Sequence, residues 1–471
     1  MRIPEGGCQL KLNVLIIYPD QMRYDCTGFS GNPVIKTPTI NQLAADGVFF
    51  RNAYTSFPLC CPFRASLLTG KYATSHGMLA NHYPIPLNQQ FLPQIMRDHG
   101  YATAWIGKWH LNGGKKHDYV PEEYRLGFEH FIGFSRGHAY LNPIYYRDND
   151  PTPYTSDMYE PDLQTGHLLE FIEQSLTEER PFFAGISYGP PHVSVDLAPE
   201  SVKHLYRPDE VPMGQTVPPA EEQEAREFIA KYYGMVQNID SQVHRIVSFL
   251  ASRGELERTI LIFVSDHGDM CGEQGGLYGK KTWFDSSMHI PFLIYYPEKL
   301  SSLDCDQMVD PSVSIMPTIL DLCGIPIPAE VEGRSLAELM AQGQDETLSD
   351  AVLYQIPREK EGPEKHPFAE RGFRTRELVY IEREGLPVAL YHLDEDPEER
   401  YNLAFHTRYL GQIQKCHERL QKMMDAIGDS WEKEAHFPPP DFQTHEDGLL
   451  YNQILYQRAQ REILMKKGSS L

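Results

Sequence analysis

The sequence predicts an α/β fold with a central, mostly parallel sheet flanked by helices and a smaller C-terminal α+β subdomain. Four near-continuous apolar runs indicate strands that are buried on both faces, as in parallel sheets, and helical patterns lie between them. After about residue 345 the pattern changes to short strands separated by charged turns. We therefore predict one large domain over residues 1–345 and a smaller subdomain over residues 346–471 that ends in a helical tail.

The four apolar runs share one property, which is that polar side chains follow each of them. Residues 12–18 lead to Asp20, 101–106 to Lys108 and His110, 181–188 to His192, and 259–264 to Asp266 and His267. Open parallel sheets bind ligands at the carboxyl ends of their strands. Polar residues also follow strands by chance, but four ends rich in Asp, His and Lys favour a functional site at this edge.

The remaining elements follow from helical periodicity and turn residues. The longest helical pattern covers about residues 220–253, between Pro218-Pro219 and Gly254. In the C-terminal part we predict strands at 351–354, 372–380 and 387–392 and a helix at about 407–424. A polar stretch with three prolines at 438–440 precedes a last predicted helix at about 447–467.

Composition excludes several classes of partner. The chain has 43 Lys and Arg against 65 Asp and Glu, a net charge of −22, which disfavours binding to nucleic acid or to an anionic membrane surface. No apolar run reaches the roughly 18 residues that a membrane span needs.

The eight cysteines are scattered without a Cys-x-x-Cys pair, and the N-terminus lacks an apolar signal region. We therefore expect reduced thiols and a cytoplasmic location, and leave an oligomer open.

Cys60 lies at the start of a predicted helix that has Pro62 in its first turn and Gly70 as its stop. A helix N-terminus favours anions and thiolates, and Arg64 lies one turn further on the same face. This spacing predicts an anion-binding site with a reactive side chain. A small buried cysteine before a helix fits the same spacing.

Residues 60–70, Cys-Cys-Pro-Phe-Arg-Ala-Ser-Leu-Leu-Thr-Gly, resemble the sulfatase signature Cys-x-Pro-Ser-Arg-x-x-x-Leu-Thr-Gly of the alkaline phosphatase superfamily. Other stretches resemble sulfatase motifs in the same order: Gly-Lys-Trp-His-Leu at 107–111, Pro-His at 191–192, Ser-Asp-His-Gly at 265–268, Gly-Lys-Lys-Thr-Trp-Phe-Asp at 279–285, and the Leu-Tyr…Asp-Pro-Glu-Glu…Asn-Leu stretch at 390–403. The resemblance covers about residues 11–405. It implies an alkaline-phosphatase-like fold and a sulfatase that hydrolyses sulfate esters, which we expect to belong to a small sulfated sugar.

The resemblance also implies a role for each motif residue. Cys60 is converted to formylglycine, an aldehyde whose hydrate attacks sulfur, although Phe63 replaces the usual serine of the signature. Lys108 and Lys280 bind the sulfate, and Arg64 holds the formylglycine hydroxyls and the metal-binding carboxylates. His192 protonates the leaving oxygen, His110 removes a proton from the second hydroxyl, and Asn81 contacts the substrate. The implied partner is a formylglycine-generating or anaerobic sulfatase-maturating enzyme.

One divalent metal is the cofactor that the resemblance implies. Its ligands are Asp20, Asp266, His267, the modified Cys60 and Gln21, which stands where most sulfatases have a second Asp; Gln21 coordinates through its amide oxygen or not at all. Ca²⁺ is the family default, and a histidine nitrogen also suits Mn²⁺.

Two other functions also fit parts of the sequence. Some formylglycine phosphonate monoester hydrolases of the same superfamily also have Asp followed by Gln at the first motif, which implies phosphonate or phosphate mono- or diester hydrolysis as the alternative. Those enzymes carry Tyr and Thr where this chain has Lys108 and His110, which favours a sulfatase. An inactive relative that binds anionic sugars is disfavoured, because every acid, base, metal and nucleophile position holds a capable residue.

Overall fold

The computed structural model describes residues 11–192, 194–297, 300–356, 358–359 and 368–435. The predicted prolines at 438–440 and the last predicted helix at 447–467 lie outside these residues. The described strands, in chain order, are β1 (Asn13–Asp20), β2 (Val48–Ala53), β3 (Ala102–Lys108), β4 (His130–Phe134), β5 (Ile144–Arg147), β6 (Asp150–Thr155), β7 (Phe182–Pro191), β8 (Thr259–Val264), β9 (Phe292–Tyr295), β10 (Leu303–Val309), β11 (Val352–Ile356), β12 (Arg358–Glu359), β13 (Glu370–Arg374), β14 (Leu378–Arg383), β15 (Leu386–His392) and β16 (Glu434–Ala435).

The described α-helices are α1 (Pro38–Asp46), α2 (Cys60–Thr69), α3 (Ala73–His76), α4 (Leu92–Asp98), α5 (Glu160–Thr177), α6 (Glu200–Lys203), α7 (Glu222–Ser252), α8 (Glu273–Gly276), α9 (Asp285–Met288), α10 (Pro311–Leu322), α11 (Ala337–Gln342) and α12 (Leu410–Ala426). Short 3₁₀ turns lie at Tyr24–Cys26, Glu122–Tyr124, Val195–Leu197, Pro208–Glu210, Leu256–Arg258 and Thr407–Tyr409. Within the described residues, no helix is both long and apolar enough to cross a bilayer.

The central sheet has the strand order β10-β2-β9-β8-β1-β7-β3-β4-β5-β6. Its middle is parallel, because β1 pairs in parallel with β8 and β7, and β3 pairs in parallel with β7 and β4. β9 runs antiparallel between β8 and β2, and β5 and β6 continue the other edge antiparallel. The predicted α/β fold with a mostly parallel central sheet is therefore confirmed.

β1 explains why the apolar runs of the sequence are continuous. Val14, Ile16 and Tyr18 pack into one buried layer, whereas Leu15 and Ile17 pack into a second layer on the opposite face of the sheet. Residues of α2, α4 and α10 complete the first layer, and residues of α1, α5 and α7 complete the second. A central strand covered by helices on both faces cannot alternate apolar and polar residues.

A four-stranded antiparallel sheet, in the order β11-β13-β14-β15, forms the C-terminal part. One face packs on α12, and the other packs on Tyr54, Met288 and Met308 of the preceding part of the chain.

The prediction of a single strand at 372–380 is wrong, because this run forms two strands. Thr375 turns the chain, since its backbone N–H donates to Leu378 O (2.8 Å) and its hydroxyl accepts from the Leu378 N–H, so the run becomes β13 and β14.

Candidate active site

The carboxyl ends of four parallel strands and the start of α2 meet at one edge of the central sheet. Asp20 and Lys108 are the last residues of β1 and β3, His192 follows β7, and the Asp266-His267 pair follows β8. The structure brings Asp20, Cys60, Asp266 and His267 together, with one ligand atom from each lying within 4.8 Å of the others, and all four are buried. The edge predicted from the strand ends is thus where these side chains converge, while the role of each stays a prediction.

Cys60 lies at the centre of this cluster. Its Sγ is 3.2 Å from Lys280 Nζ, 3.4 Å from His267 Nε2 and 3.8 Å from Asp20 Oδ1. Burial, reinforced by the charge of Asp20, raises the pKa of the Cys60 thiol to about 11. Burial therefore opposes the thiolate that a helix N-terminus favours, and its effect on the pKa outweighs that of the neighbouring lysines.

The first turn of α2 fixes the direction of Cys60. Leu59 precedes the helix in an extended conformation. The helix ends at Gly70, whose φ of +65° favours glycine; the Cβ of any other residue there would also lie only 2.7 Å from a methyl group of Val331. Cys61 donates from Sγ to His110 O at 2.8 Å, so its thiol is packed in a different direction. The side chain of Asn81 accepts from Cys61 N at 3.0 Å, so Asn81, a predicted substrate contact, holds the helix start.

Asp20 is held as a carboxylate by buried cations. Its Oδ2 accepts from Lys108 Nζ (2.7 Å) and Arg64 Nη2 (3.0 Å). Burial alone would raise the pKa of Asp20, but the positive charges of Lys108 and Arg64 hold it well below its usual value. The other oxygen, Oδ1, faces Cys60 and lies 4.0 Å from His192 Nε2. Asp20 therefore presents one charged oxygen to the centre of the site.

Asp266 and His267 fit a bound cation. Asp266 Oδ1 accepts from the backbone N–H groups of Gln21 (2.8 Å) and His267 (3.0 Å), whereas its buried Oδ2 has no hydrogen-bond partner among the described residues. His267 Nδ1 lies 3.0 Å from Gly268 O, so Nδ1 carries the proton and Nε2, 3.4 Å from Asp266 Oδ2, keeps its lone pair. Burial lowers the pKa of His267 to about 4, which keeps the ring neutral. An unsatisfied carboxylate oxygen beside a free imidazole lone pair suits a divalent metal.

Gln21 lies beside this group in a left-handed backbone conformation (φ +64°). Its side-chain nitrogen donates to Asp269 Oδ2, and its Oε1 accepts from Lys280 Nζ at 3.0 Å. The amide oxygen thus contacts a sulfate-binding candidate, and its coordination of a metal stays a prediction.

Two lysines lie beside Cys60 Sγ, and each of them contacts a histidine. Lys280 Nζ lies 2.8 Å from His192 Nε2, and Lys108 Nζ lies 3.9 Å from Cys60 Sγ and 3.4 Å from His138 Nε2. The rings of His138 and His192 stack at 4.0 Å between centroids. Burial and the nearby lysines hold the pKa values of both histidines well below 6.5, so both rings are neutral in this state. The arrangement offers positive charge to an anion placed beside Cys60.

His110 has a left-handed backbone (φ +67°) and lies near the same edge. Its Nε2 is 2.9 Å from His82 Nδ1, and its Nδ1 is buried without a hydrogen-bond partner among the described residues. Its backbone carbonyl accepts from Cys61 Sγ. The proton-acceptor role implied for His110 stays a prediction.

Comparison with protein-family models decides the family. Residues 12–325 match the model described as Sulfatase, and residues 272–426 match the C-terminal model of N-sulphoglucosamine sulphohydrolase. The chain belongs to the sulfatase family. An ulvan-active sulfatase from Formosa agariphila is 30% identical to this sulfatase over 430 residues, which cover 91% of this chain and 84% of the relative.

Two solved structures share the fold. One is a protein in complex with its substrate D-glucosamine-2-N,6-O-disulfate, with a TM-score of 0.77 and 21% identity, covering 90% of this sulfatase and 100% of that chain. The other is the phosphonate monoester hydrolase of Agrobacterium radiobacter, with a TM-score of 0.74 and 23% identity. The match covers 88% of this sulfatase and 96% of that chain.

Sequence reasoning assigns no role to Asp269, and it places His138, together with Arg136, only on the substrate side. His138 lies beyond β4, a strand that we did not predict, so no strand end anchors it. Asp269 follows Asp266 by three residues, and its Oδ1 accepts from the N–H groups of Cys271 (2.8 Å) and Gly279 (3.0 Å) while Oδ2 binds Gln21. Its place directly after the Ser-Asp-His-Gly motif was the available signal, and its contacts indicate a role in holding neighbouring loops.

Proposed function

We propose that this sulfatase hydrolyses the sulfate ester of a small sulfated sugar through a formylglycine formed at residue 60, with one divalent cation bound beside it. The observation that carries the proposal is the position of Cys60 Sγ. It lies 3.2 Å from Lys280 Nζ and 3.9 Å from Lys108 Nζ on one side, and 3.4 Å from His267 Nε2 on the other. A substituent on this Cβ is therefore within reach of both an anion-binding pair and a metal-ligand pair.

The raised pKa of the Cys60 thiol supports a modified nucleophile. A thiol acts as a nucleophile through its thiolate, and a pKa of about 11 leaves very little thiolate near neutral pH. In the structure Sγ stands in for an oxygen of the aldehyde hydrate that the family resemblance implies. One hydroxyl of that hydrate can attack sulfur and expel the sugar alcohol, which leaves a sulfate ester on residue 60. Loss of the proton from the other hydroxyl then breaks the C–O bond to sulfate, so the aldehyde is restored and free sulfate departs without an attack by water on the ester.

The chain supplies the cation's ligands. Asp20 Oδ1, Asp266 Oδ2 and His267 Nε2 would hold it, and the oxygen on residue 60 completes this set. When bound, a divalent metal lowers the pKa of a coordinated hydroxyl and offsets the negative charge of the sulfate oxygens. Ca²⁺ suits the two carboxylates and Mn²⁺ suits the nitrogen donor, so metal identity stays open between these two.

Lys108 and Lys280 bind the sulfate in this proposal. Both ammonium groups lie within 4 Å of Cys60 Sγ, where negative charge develops on the transferring group.

Hydrolysis of a phosphonate or phosphate ester is the second candidate function, and the Asp20-Gln21 pair favours it. Comparing kcat/KM for 4-nitrophenyl sulfate and phenyl phosphonate esters separates the two, and we expect the sulfate to be the better substrate.

Two comparisons support a sugar as the leaving group. A relative at 30% identity is named an ulvan-active sulfatase, and a protein with the same fold has D-glucosamine-2-N,6-O-disulfate as its substrate. A screen that measures sulfate release from sulfated mono- and disaccharides tests this part. Turnover of aryl sulfates without turnover of any sulfated sugar would count against it.

A reducing compartment is part of the proposal. None of the seven cysteines of the described residues forms a disulfide, which agrees with the reduced thiols of the proposed cytoplasmic location. There the chain would meet a formylglycine-generating or anaerobic sulfatase-maturating enzyme. Cell fractionation with detection of the protein tests the location.

Replacing His192 by alanine should slow a sulfated sugar far more than an activated aryl sulfate. A sugar alkoxide needs a proton as the S–O bond breaks, whereas nitrophenolate does not, and general acid catalysis contributes about 10²–10⁴-fold. His192 is neutral in this state, but a sulfate bound against Lys280 brings negative charge that favours the imidazolium. The measurement is kcat/KM for both substrates.

Lys280→Ala serves as the matched variant, because it should impair both substrates through loss of sulfate binding. Equal losses on the two substrates in His192→Ala would show that His192 binds the sulfate and does not protonate the leaving oxygen.

A further inference from the structure

The loop that carries Lys280 is fixed at two points. At its start, Gly279 N–H donates to Asp269 Oδ1 (3.0 Å), and Met270 N–H donates to Gly279 O (2.8 Å). At its end, Asp285 N–H donates to Glu399 Oε2 (2.9 Å). Between them Lys281 has a φ of +73°, a conformation that a side-chain-bearing residue keeps only when its surroundings impose it.

The second anchor belongs to an ion cluster that the C-terminal sheet supplies. Arg374, on β13, contacts Glu399 Oε1 through Nη1 (2.6 Å) and Asp285 Oδ1 through Nη2 (2.7 Å). The side chains of Arg374 and Glu399 are 6% and 1% exposed, and the Tyr54 ring lies 4.5 Å from the guanidinium. This cluster joins the loop after β15, strand β13 and the end of the Lys280 loop.

We propose that Arg374 and Glu399 are positioning residues for Lys280, so that the C-terminal sheet sets the place of a sulfate-binding ammonium group. The inference rests on the proposed function, because it requires Lys280 to bind the sulfate. Glu399 accepts from the backbone N–H of Asp285, five residues after Lys280, and Arg374 contacts both Glu399 and the Asp285 side chain through charge-assisted contacts. Without Arg374 the two carboxyl groups lose the cation that they share.

The consequence for catalysis follows from the tight spacing around Lys280. Its Nζ lies 2.8–3.2 Å from His192 Nε2, Gln21 Oε1 and Cys60 Sγ, so a shift of the loop by 1 Å would break these contacts. Misplacement on that scale costs up to about 10²-fold in rate.

Glu399→Gln is the substitution that isolates this contact. It keeps the side-chain shape and an acceptor for the Asp285 N–H but removes the carboxylate that pairs with Arg374.

A double-mutant cycle tests the proposal. We expect Glu399→Gln to lower kcat/KM for 4-nitrophenyl sulfate by about 10- to 100-fold, and to cause no further loss in a Lys280→Ala background. The same fold-loss in both backgrounds, or no loss in either, would overturn the proposal. Arg374→Lys, run through the same cycle, replaces Glu399→Gln if that protein fails to fold.

Arg371→Lys is the matched control. Arg371 is a buried arginine of the same strand that pairs with Asp429 (2.6 Å) instead of the Lys280 loop, so kcat/KM should stay unchanged even if the unfolding temperature falls. Lys280→Ala by itself reports on the proposed function. Wild-type turnover in that single variant would remove the sulfate-binding role, whereas impaired turnover with additive losses would remove only the positioning role.

Discussion

Replacing Cys60 by alanine is expected to lower kcat/KM for every sulfate ester by about 10⁵- to 10⁶-fold, the scale seen when an enzyme loses its nucleophile. The side chain at residue 60 is the only group in the proposed chemistry that forms a bond to sulfur. Lys108 and Lys280, the proposed sulfate-binding residues, remain in Cys60→Ala, so the loss should appear in kcat more than in KM.

Cys61→Ala is the matched control for this substitution. Cys61 is the adjacent buried cysteine, and its Sγ donates to His110 O and lies on a different side of the helix start. We expect activity close to wild type once peptide mass analysis shows equal modification of residue 60. Loss of activity in Cys61→Ala with retention in Cys60→Ala would reverse the assignment.

Removing one of the proposed metal-binding carboxylates should have the second-largest effect. Asp266→Ala deletes the unpartnered Oδ2 that faces His267 Nε2, and we expect loss of the bound cation together with a decrease in kcat of about 10³-fold or more. Elemental analysis should find one divalent metal per wild-type chain and none in the variant. Chelation of the wild-type protein should produce the same loss of activity.

Asp240→Asn provides a control for this variant, since Asp240 is a buried carboxylate that caps α1 through Ile40 N–H (2.8 Å) and lies outside the metal cluster. Its metal content and kcat should match the wild type. Two equivalents of zinc per wild-type chain, or full metal content in Asp266→Ala, would contradict the single site.

The sequence predicted the strands that determine the fold but not the edges of the sheet. β1, β3, β7 and β8 lie in the middle of the sheet, and burial on both faces makes their apolar runs continuous. β6 consists mainly of exposed residues and β9 has only four residues, so neither produces a comparable pattern. Their pairing depends on neighbours that are distant in the chain, which local composition does not encode.

The site was predictable where a strand end or a family motif indicated a residue. Cys60, Asp20, Asp266 and His267 converge in the structure, but the ionisation of Cys60 depends on its complete burial, which no local spacing reveals. His138, which we expect to line the substrate side, had no strand end to anchor it because it follows the unpredicted β4. The contact of Asn81 with Cys61 N–H likewise depends on how the chain folds back over α2.

The most direct test of formylglycine at residue 60 combines peptide mass spectrometry with turnover per chain. Preparations made with different amounts of a co-expressed formylglycine-generating system should contain different fractions of the aldehyde at residue 60. We expect turnover to rise in proportion to that fraction and to extrapolate to zero when every Cys60 is a thiol. Full turnover in a preparation whose Cys60 is an intact thiol would contradict the proposed nucleophile.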